Sequence, residues 1–206
     1  MRTVAAFDFD GTLTRRDTLG PFLREIAGTG TFARALVADA PRLALAGVGV
    51  ASRDAAKERL LRRLVGGRRH ADLAALGRAY GERVATTGLR PDMIARLREH
   101  AEEGTEIAIV SASLDLYIDR VAELLGVGTV LCSRLEVDDD GRVTGGLAGG
   151  NCRGPAKIHR IREHFGADGY DLWAYGDSAG DNEMLAAADH PVRVARRGGQ
   201  WRVPTP

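Results

Sequence analysis

Apolar positions along this chain follow two different rhythms. Between residues 15 and 88 they recur every three or four positions, the spacing that lines one face of a helix. Leu19, Phe22, Leu23 and Ile26 predict a helix from Asp17 to about Ala27, broken by Gly28-Thr29-Gly30. Phe32–Ala46 is apolar and alanine-rich, and Pro41 inside it predicts two helical pieces. Ser52 is placed to cap a third helix running to about Val65 and closed by Gly66-Gly67. Leu73, Leu76, Tyr80 and Val84 predict a fourth across His70–Thr87. Nothing in this block has the pattern of a strand.

On either side of the block the rhythm changes. Val4–Phe9 is a short apolar run that predicts a buried strand. Beyond Gly88, Pro91 opens a helix continued by Met93–Glu102, and Thr105–Val110 is a β-branched strand ending at Ser111. A helix at Leu114–Leu125 and a strand at Thr129–Cys132 follow. Arg134–Asp138 and Arg142–Gly145 flank Asp139-Asp140-Gly141, which predicts a hairpin. Gly154–Phe165 is a helix with Pro155 in its first turn, Leu172–Tyr175 a strand, Asp181–Ala188 a helix and Val192–Ala195 a last strand. Strands alternating with helices predict an α/β fold with a parallel sheet. The expected organisation is a Rossmann-like α/β core from residues 1–14 and 89–206, with residues 15–88 inserted as an all-helical cap. The tail from Gly198 to Pro206 is expected to be partly disordered.

Composition narrows the function. The 206 residues suffice for one sizeable core plus an inserted subdomain. With 29 basic and 28 acidic residues the net charge is +1, which removes bulk charge as a reason to bind nucleic acid. Two cysteines, Cys132 and Cys152, match no metal spacing and make no disulfide framework. No apolar run reaches membrane-span length, and the start Met1-Arg2-Thr3 does not have the pattern of a signal peptide. A cytoplasmic monomer or homodimer is expected.

The chemistry gathers where strands end. In open α/β sheets, ligands bind beyond the carboxyl ends of the strands. Asp8 and Asp10 follow the first strand and, two apart on extended chain, face the same way. Carboxylates beside a core need a partner, and a divalent cation is the simplest. Ser111 and Asp177 end two further strands, and Asp181 and Lys157 open two helices. Each has a plainer explanation: Asp8-x-Asp10-Gly11 as a turn, Ser111 as a helix cap, Lys157 as a solvated lysine, Asp177 and Asp181 as a loop-and-cap pair. Together they supply one reaction, phosphoryl transfer. Mg²⁺ cancels the repulsion between a phosphate monoester and an attacking carboxylate. One aspartate attacks phosphorus, a second moves the proton, and a hydroxyl and an ammonium hold the equatorial oxygens.

These residues resemble the haloacid-dehalogenase-like (HAD) phosphohydrolases, in order from Asp8 to Asp181. The resemblance is carried by Phe7-Asp8-Phe9-Asp10-Gly11-Thr12-Leu13-Thr14 and by Tyr175-Gly176-Asp177-Ser178-Ala179-Gly180-Asp181-Asn182-Glu183-Met184-Leu185. It implies Asp8 as nucleophile, and Asp10 as general acid/base that lends its backbone carbonyl to Mg²⁺. It further implies Ser111 as phosphate ligand, Lys157 as the group steadying the intermediate, Asp177 as a metal ligand and Asp181 as support for the metal site. The helical insertion is similar to that of the phosphoserine-phosphatase-like branch. There the resemblance gives Asp17 the substrate amine and an arginine of the cap the substrate carboxylate, with Arg59 as the counterpart and Arg53 competing. Two positions depart from that branch: Ser111-Ala112-Ser113 where two glycines usually follow the serine, and Gly180 where asparagine is usual.

The expected partner is a small phosphorylated substrate, phosphoserine-like, with no nucleic acid and no integral membrane segment. The resemblance extends to bacterial proteins acting on lipid phosphates such as phosphatidylglycerophosphate, which is the alternative; the apolar stretch Phe32–Val50 would suit such a substrate, but ordinary packing inside a helical cap accounts for it better. A phosphotransferase would use the same residues, whereas a catalytically silent binding protein would not need all six. The five histidines lie on or beside helices or before Pro191 and are expected to be packing or surface residues. Gly145–Gly150 lacks the Lys-Ser/Thr of a nucleotide loop, and Arg62-Arg63 and Arg68-Arg69 are expected to be solvated charges.

Overall fold

The computed structural model describes residues 2–47 and 53–194. The expected cap Ser52, the strand end at Ala195 and the tail from Gly198 lie outside the described residues. In chain order the elements are β1 (Arg2–Phe7), α1 (Leu19–Ala27), α2 (Thr29–Gly47), α3 (Arg53–Val65), α4 (His70–Arg83), α5 (Pro91–Glu102), β2 (Glu106–Leu114), α6 (Asp115–Leu125), β3 (Thr129–Val137), β4 (Val143–Ala148), α7 (Pro155–Phe165), β5 (Tyr170–Gly176), α8 (Asn182–Ala186) and β6 (His190–Arg193). The sheet order is β4-β3-β2-β1-β5-β6, parallel throughout except for β4. The chain is therefore an α/β protein with β1 at the centre of the sheet, as the alternating pattern predicts.

Both faces of β1 are buried, so its apolar run is continuous. Val4 and Ala6 pack with Ile158, Ile161 and Met184 on one face, and Ala5 and Phe7 join the larger cluster on the other. Phe7 stacks on Tyr175 of β5 with ring centroids 4.3 Å apart. Five helices, α1 to α5, intervene between β1 and β2 with no strand among the described residues, and α1 to α4 fall within residues 15–88. The chain leaves and returns through adjacent segments. Arg15 N donates to Gly88 O at 3.0 Å and Arg90 N to Leu13 O at 2.8 Å. These bonds bring the two ends of the helical block at residues 15–88 together. The block is also fastened laterally. Helix α4 lies so close to α6 that a Cβ at Gly77 or Gly81 would overlap the carbonyls of Leu116 and Tyr117.

The elements depart from expectation in four places. Strand β1 stops at Phe7. Asp8 is still extended, but Phe9–Leu13 wind into a wide turn closed by Thr14 N on Phe9 O at 2.9 Å. Helix α2 runs through Pro41 instead of splitting; the carbonyl that loses its partner belongs to Val37, whose exposure of 76% lets water take its place. The predicted strand at Thr129–Cys132 and the first arm of the hairpin are one strand, β3, which pairs with β2 at its start and with β4 at its end. Strand β2 continues past Ser111, with a register shift between Ser111 and Leu114.

Candidate active site

The wide turn after β1 puts two carboxylates at the carboxyl edge of the sheet. Asp8 is 6% exposed, and its N–H donates to Tyr175 O at 2.9 Å. Opposite it, in the first turn of α7, Lys157 is buried to 2% exposure. Its ammonium donates to Asp8 Oδ1 at 2.5 Å, Asp181 Oδ1 at 2.6 Å and Val110 O at 2.8 Å. Three protons meet three acceptors, which is what makes a fully buried cation tolerable. Burial works against the charge on Lys157, but Asp8 and Asp181 outweigh it and hold the lysine above its ordinary range. Burial pushes Asp8 up to about 6; Lys157 opposes the rise, while Asp181 and Asp177 add to it.

Asp10 points to other partners in the same cleft. Its Oδ1 accepts from Thr18 N at 2.7 Å and Thr18 Oγ1 at 2.6 Å, and its Oδ2 accepts from Ser113 Oγ. Burial pushes it up to about 7, against the hydrogen bonds from Ser113 and Thr18. Ser111 is buried on β2, and its Oγ accepts from Ser113 N at 3.0 Å. It caps no helix, since α6 begins four residues later, at Asp115. The bulge in β2 thus serves both serines: it turns Ser113 back onto Ser111 and delivers its hydroxyl to Asp10.

Asp8, Asp177 and Asp181 offer carboxylate oxygens that all lie within 4.8 Å of one another. Gly11 makes that approach possible. It has φ +84°, and a Cβ there would overlap the Asp177 carboxylate. Three hard oxygen donors around one point suit Mg²⁺. The mutual repulsion that helps raise Asp8 is what a divalent cation would cancel. Asp181 is already engaged on both oxygens, by Lys157 and by Ser178 N and Oγ at 2.9 Å, and these bonds overcome burial to hold it below its ordinary range. A metal ion here would be held by Asp8 and Asp177, with Asp181 in support.

These groups open into a cleft of about 510 Å³. Asp8, Asp10, Ser111, Lys157 and Asp181 line it from the sheet side, and Leu19, Leu23, Ala56, Lys57 and Leu60 from the inserted helices. Asp17 lines it too, although its Oδ2 accepts from Gly20 N at 2.9 Å at the start of α1. Arg59 does not line it. Its guanidinium pairs with Asp39 of α2 at 3.1 Å, a carboxylate it shares with Arg63. Two residues along a helix turn the side chain by about 200°, so the face that carries Lys57 to the cleft carries Arg59 away from it. The side chain of Arg53 lies outside the described set.

Several cleft residues escaped the sequence reading. Lys57 of α3 donates to Ala112 O, to Asn151 Oδ1 at 2.7 Å and, at 3.4 Å, to Ser133 Oγ. Asn151 Nδ2 in turn donates to Asp54 Oδ1 at 2.6 Å. Asn151 and Arg153 carry no periodic or motif signal, nor does Thr18, which holds Asp10 from outside the lining; Ser113 stands out only as a departure from the two usual glycines. Lys57 does carry one. The chain has only two lysines, Lys57 and Lys157, its other cationic side chains at neutral pH being arginine, and both lysines line the cleft.

Comparison with known proteins gives this geometry a lineage. The model of the haloacid dehalogenase-like hydrolase family matches residues 5–186. The protein CicA of Caulobacter vibrioides is 40% identical over 186 residues, covering 90% of this chain and 83% of CicA. The phosphoserine phosphatase of Methanocaldococcus jannaschii is 26% identical over 185 residues, covering 88% of this chain and 80% of that enzyme. Among solved structures, a protein of unknown function from Bordetella pertussis Tohama I superposes with a TM-score of 0.80 at 24% identity, over 94% of this chain and 90% of that one. The matched span runs from β1 to α8 and encloses every carboxylate of the cleft, and the chain belongs to the haloacid dehalogenase-like hydrolase family.

Proposed function

We propose that this chain is a Mg²⁺-dependent phosphomonoester hydrolase acting through an aspartyl-phosphate on Asp8. The observation that carries the reading is the contact of Asp8 Oδ1 with Lys157 Nζ at 2.5 Å, beside the Asp8–Asp177–Asp181 cluster and with Asp10 lining the same cleft. A carboxylate so held is buried, oriented and already paired with the cation that will face the transferred group. Asp8 and Asp177, with the backbone carbonyl of Asp10, would hold Mg²⁺, and Asp181 would steady them. The ion supplies charge neutralisation between the phosphate and the attacking carboxylate.

A free Asp8 oxygen attacks phosphorus, and the bond from phosphorus to the ester oxygen breaks. Asp10, protonated, gives its proton to the departing oxygen. Lys157 and the Ser111 hydroxyl hold the equatorial oxygens as charge moves onto them. Asp10 then takes a proton from water, the water oxygen attacks phosphorus, and the acyl-phosphate bond breaks to release phosphate and restore Asp8. Replacing Asp8 with Asn should abolish turnover of an aryl phosphate while the melting transition persists. Mg²⁺-dependent activity surviving in Asp8→Asn would overturn the mechanism.

The inserted helices, residues 15–88, act as a cap that selects the leaving group. Their side chains form one wall of the cleft, and the paired segments at Arg15 and Gly88 join them to the sheet. The relative from M. jannaschii is named a phosphoserine phosphatase, and Asp17 in the cleft supports an amine on the leaving group here too. A screen of phosphorylated metabolites, including phosphoserine and phosphatidylglycerophosphate, with and without Mg²⁺, tests this choice. Inert phosphoserine would remove the amine role from Asp17.

A further inference from the structure

Arg59 is turned onto Asp39 and away from the cleft. Besides Lys157, two cationic side chains line it, Lys57 and Arg153. Lys57 is committed, its ammonium facing Ala112 O, Asn151 Oδ1 and Ser133 Oγ. Arg153 is not. It is half-buried in the loop before α7, and its guanidinium makes no hydrogen bond or ion pair among the described residues. It lies across Gly180: a Cβ there would come within 3.1 Å of Arg153 Nε and 3.4 Å of Cζ. Gly180 is also where this chain departs from the asparagine usual in the phosphoserine-phosphatase-like branch. A side chain of that length at position 180 would occupy the space the guanidinium now fills.

We propose that Arg153 is a specificity-determining residue that binds an anionic group on the leaving-group portion of the substrate, and that Gly180 provides the space for it. A guanidinium presents a planar fork of donors matched to a pair of anionic oxygens, as in a carboxylate or phosphate. With no protein partner for its guanidinium among the described residues, Arg153 has its donors available for such a group. The inference rests on the cleft being a phosphomonoester site.

The test is equilibrium binding in Mg²⁺ to Asp8→Asn protein, which removes the nucleophile, with matched pairs of phosphate esters. 3-Phosphoglycerate and glycerol 3-phosphate differ by a carboxylate in place of a hydroxymethyl group. Fructose 1,6-bisphosphate and fructose 6-phosphate differ by a second phosphate. Parent protein should prefer the anionic member of at least one pair by about tenfold or more, the worth of a charged hydrogen bond. Preference in the first pair alone assigns a carboxylate, and in the second alone a phosphate. Arg153→Met should erase the preference, and Arg153→Lys, which keeps the charge without the fork, should retain part of it and stands in if the methionine variant does not fold. Gly180→Asn should weaken the preference by displacing the arginine. No preference in the parent, undetectable binding of all four esters, or a preference that survives Arg153→Met overturns the proposal. So does an equal loss for both members of a pair, which would put the arginine on the transferred phosphoryl group. Because the readout is binding, failure here is separate from turnover that survives Asp8→Asn, which falls on the mechanism.

Discussion

Lys57 Nζ donates to Asn151 Oδ1 at 2.7 Å, joining helix α3 to the loop between β4 and α7 across the cleft. The same ammonium reaches Ala112 O on the β2 bulge, next to Ser111, and the same asparagine reaches Asp54 back on α3. One inserted helix is thereby tied to two loops of the sheet edge. The prediction is thermodynamic. Lys57→Met leaves Ala112 O without this donor and removes one of the two donors to Asn151 Oδ1. The variant should lose about 1–3 kcal/mol, the cost of stranding buried acceptors. Urea unfolding of Lys57→Met, Asn151→Ala and the double variant checks it. A shared bond makes the double change cost less than the sum of the singles.

The same lysine gives a pH dependence with a definite sign. Burial lowers Lys57 to about 8, against about 10.5 for an ordinary lysine, and Asp54 only partly offsets it. Between those values the unfolded chain binds a proton that the folded chain has released. Stability therefore rises with pH across that window wherever Lys57 is present. The stability of the parent minus that of Lys57→Met should increase from about pH 8 to about pH 10.5. A flat difference measured by urea midpoints would mean that Lys57 stays charged in the fold.

What was legible from sequence was local. Asp8, Asp10, Asp177 and Asp181 are read from two short motifs, each carried on one stretch of chain. Asp10 is the instructive case. The period-two reading put it on the same strand face as Asp8, whereas it sits in the turn after the strand and meets Thr18 and Ser113. It still lines the same cleft. The opposite wall of the cleft was not legible in this way. Lys57, Asn151 and Arg153 lie on separate elements that meet only through tertiary packing. Which of Lys57 and Arg59 reaches the cleft depends on the rotation of α3 about its axis, which the helical pattern leaves open. Asp39, buried on α2, decides it by drawing Arg59 and Arg63 to its side.

Asp10→Asn separates proton transfer from nucleophilic attack. Loss of a general acid costs about 10²–10⁴-fold in rate. The cost should be greatest for alkyl phosphates, whose departing oxygen needs the proton, and smaller for para-nitrophenyl phosphate, whose phenolate leaves without one. Comparison of kcat for the two substrate classes reads this directly. Equal losses for both would assign Asp10 a positioning role through Thr18 and Ser113.

Gly11→Ala tests the carboxylate cluster without altering any ligand. The added Cβ would have to occupy the place of the Asp177 carboxylate and adopt φ +84°, a backbone region unfavourable to alanine. Either the carboxylate moves off or the turn that carries Asp10 shifts. Both weaken the hold on Mg²⁺, so the metal concentration giving half-maximal aryl phosphate turnover should rise. Excess Mg²⁺ should restore part of the rate if Asp177 alone has moved, and none if the turn has. Treatment of the parent protein with a chelator should abolish turnover, and added Mg²⁺ should restore it fully, because Lys157 keeps the three carboxylates in place to receive the ion. A parent rate indifferent to the chelator would remove the metal from the mechanism.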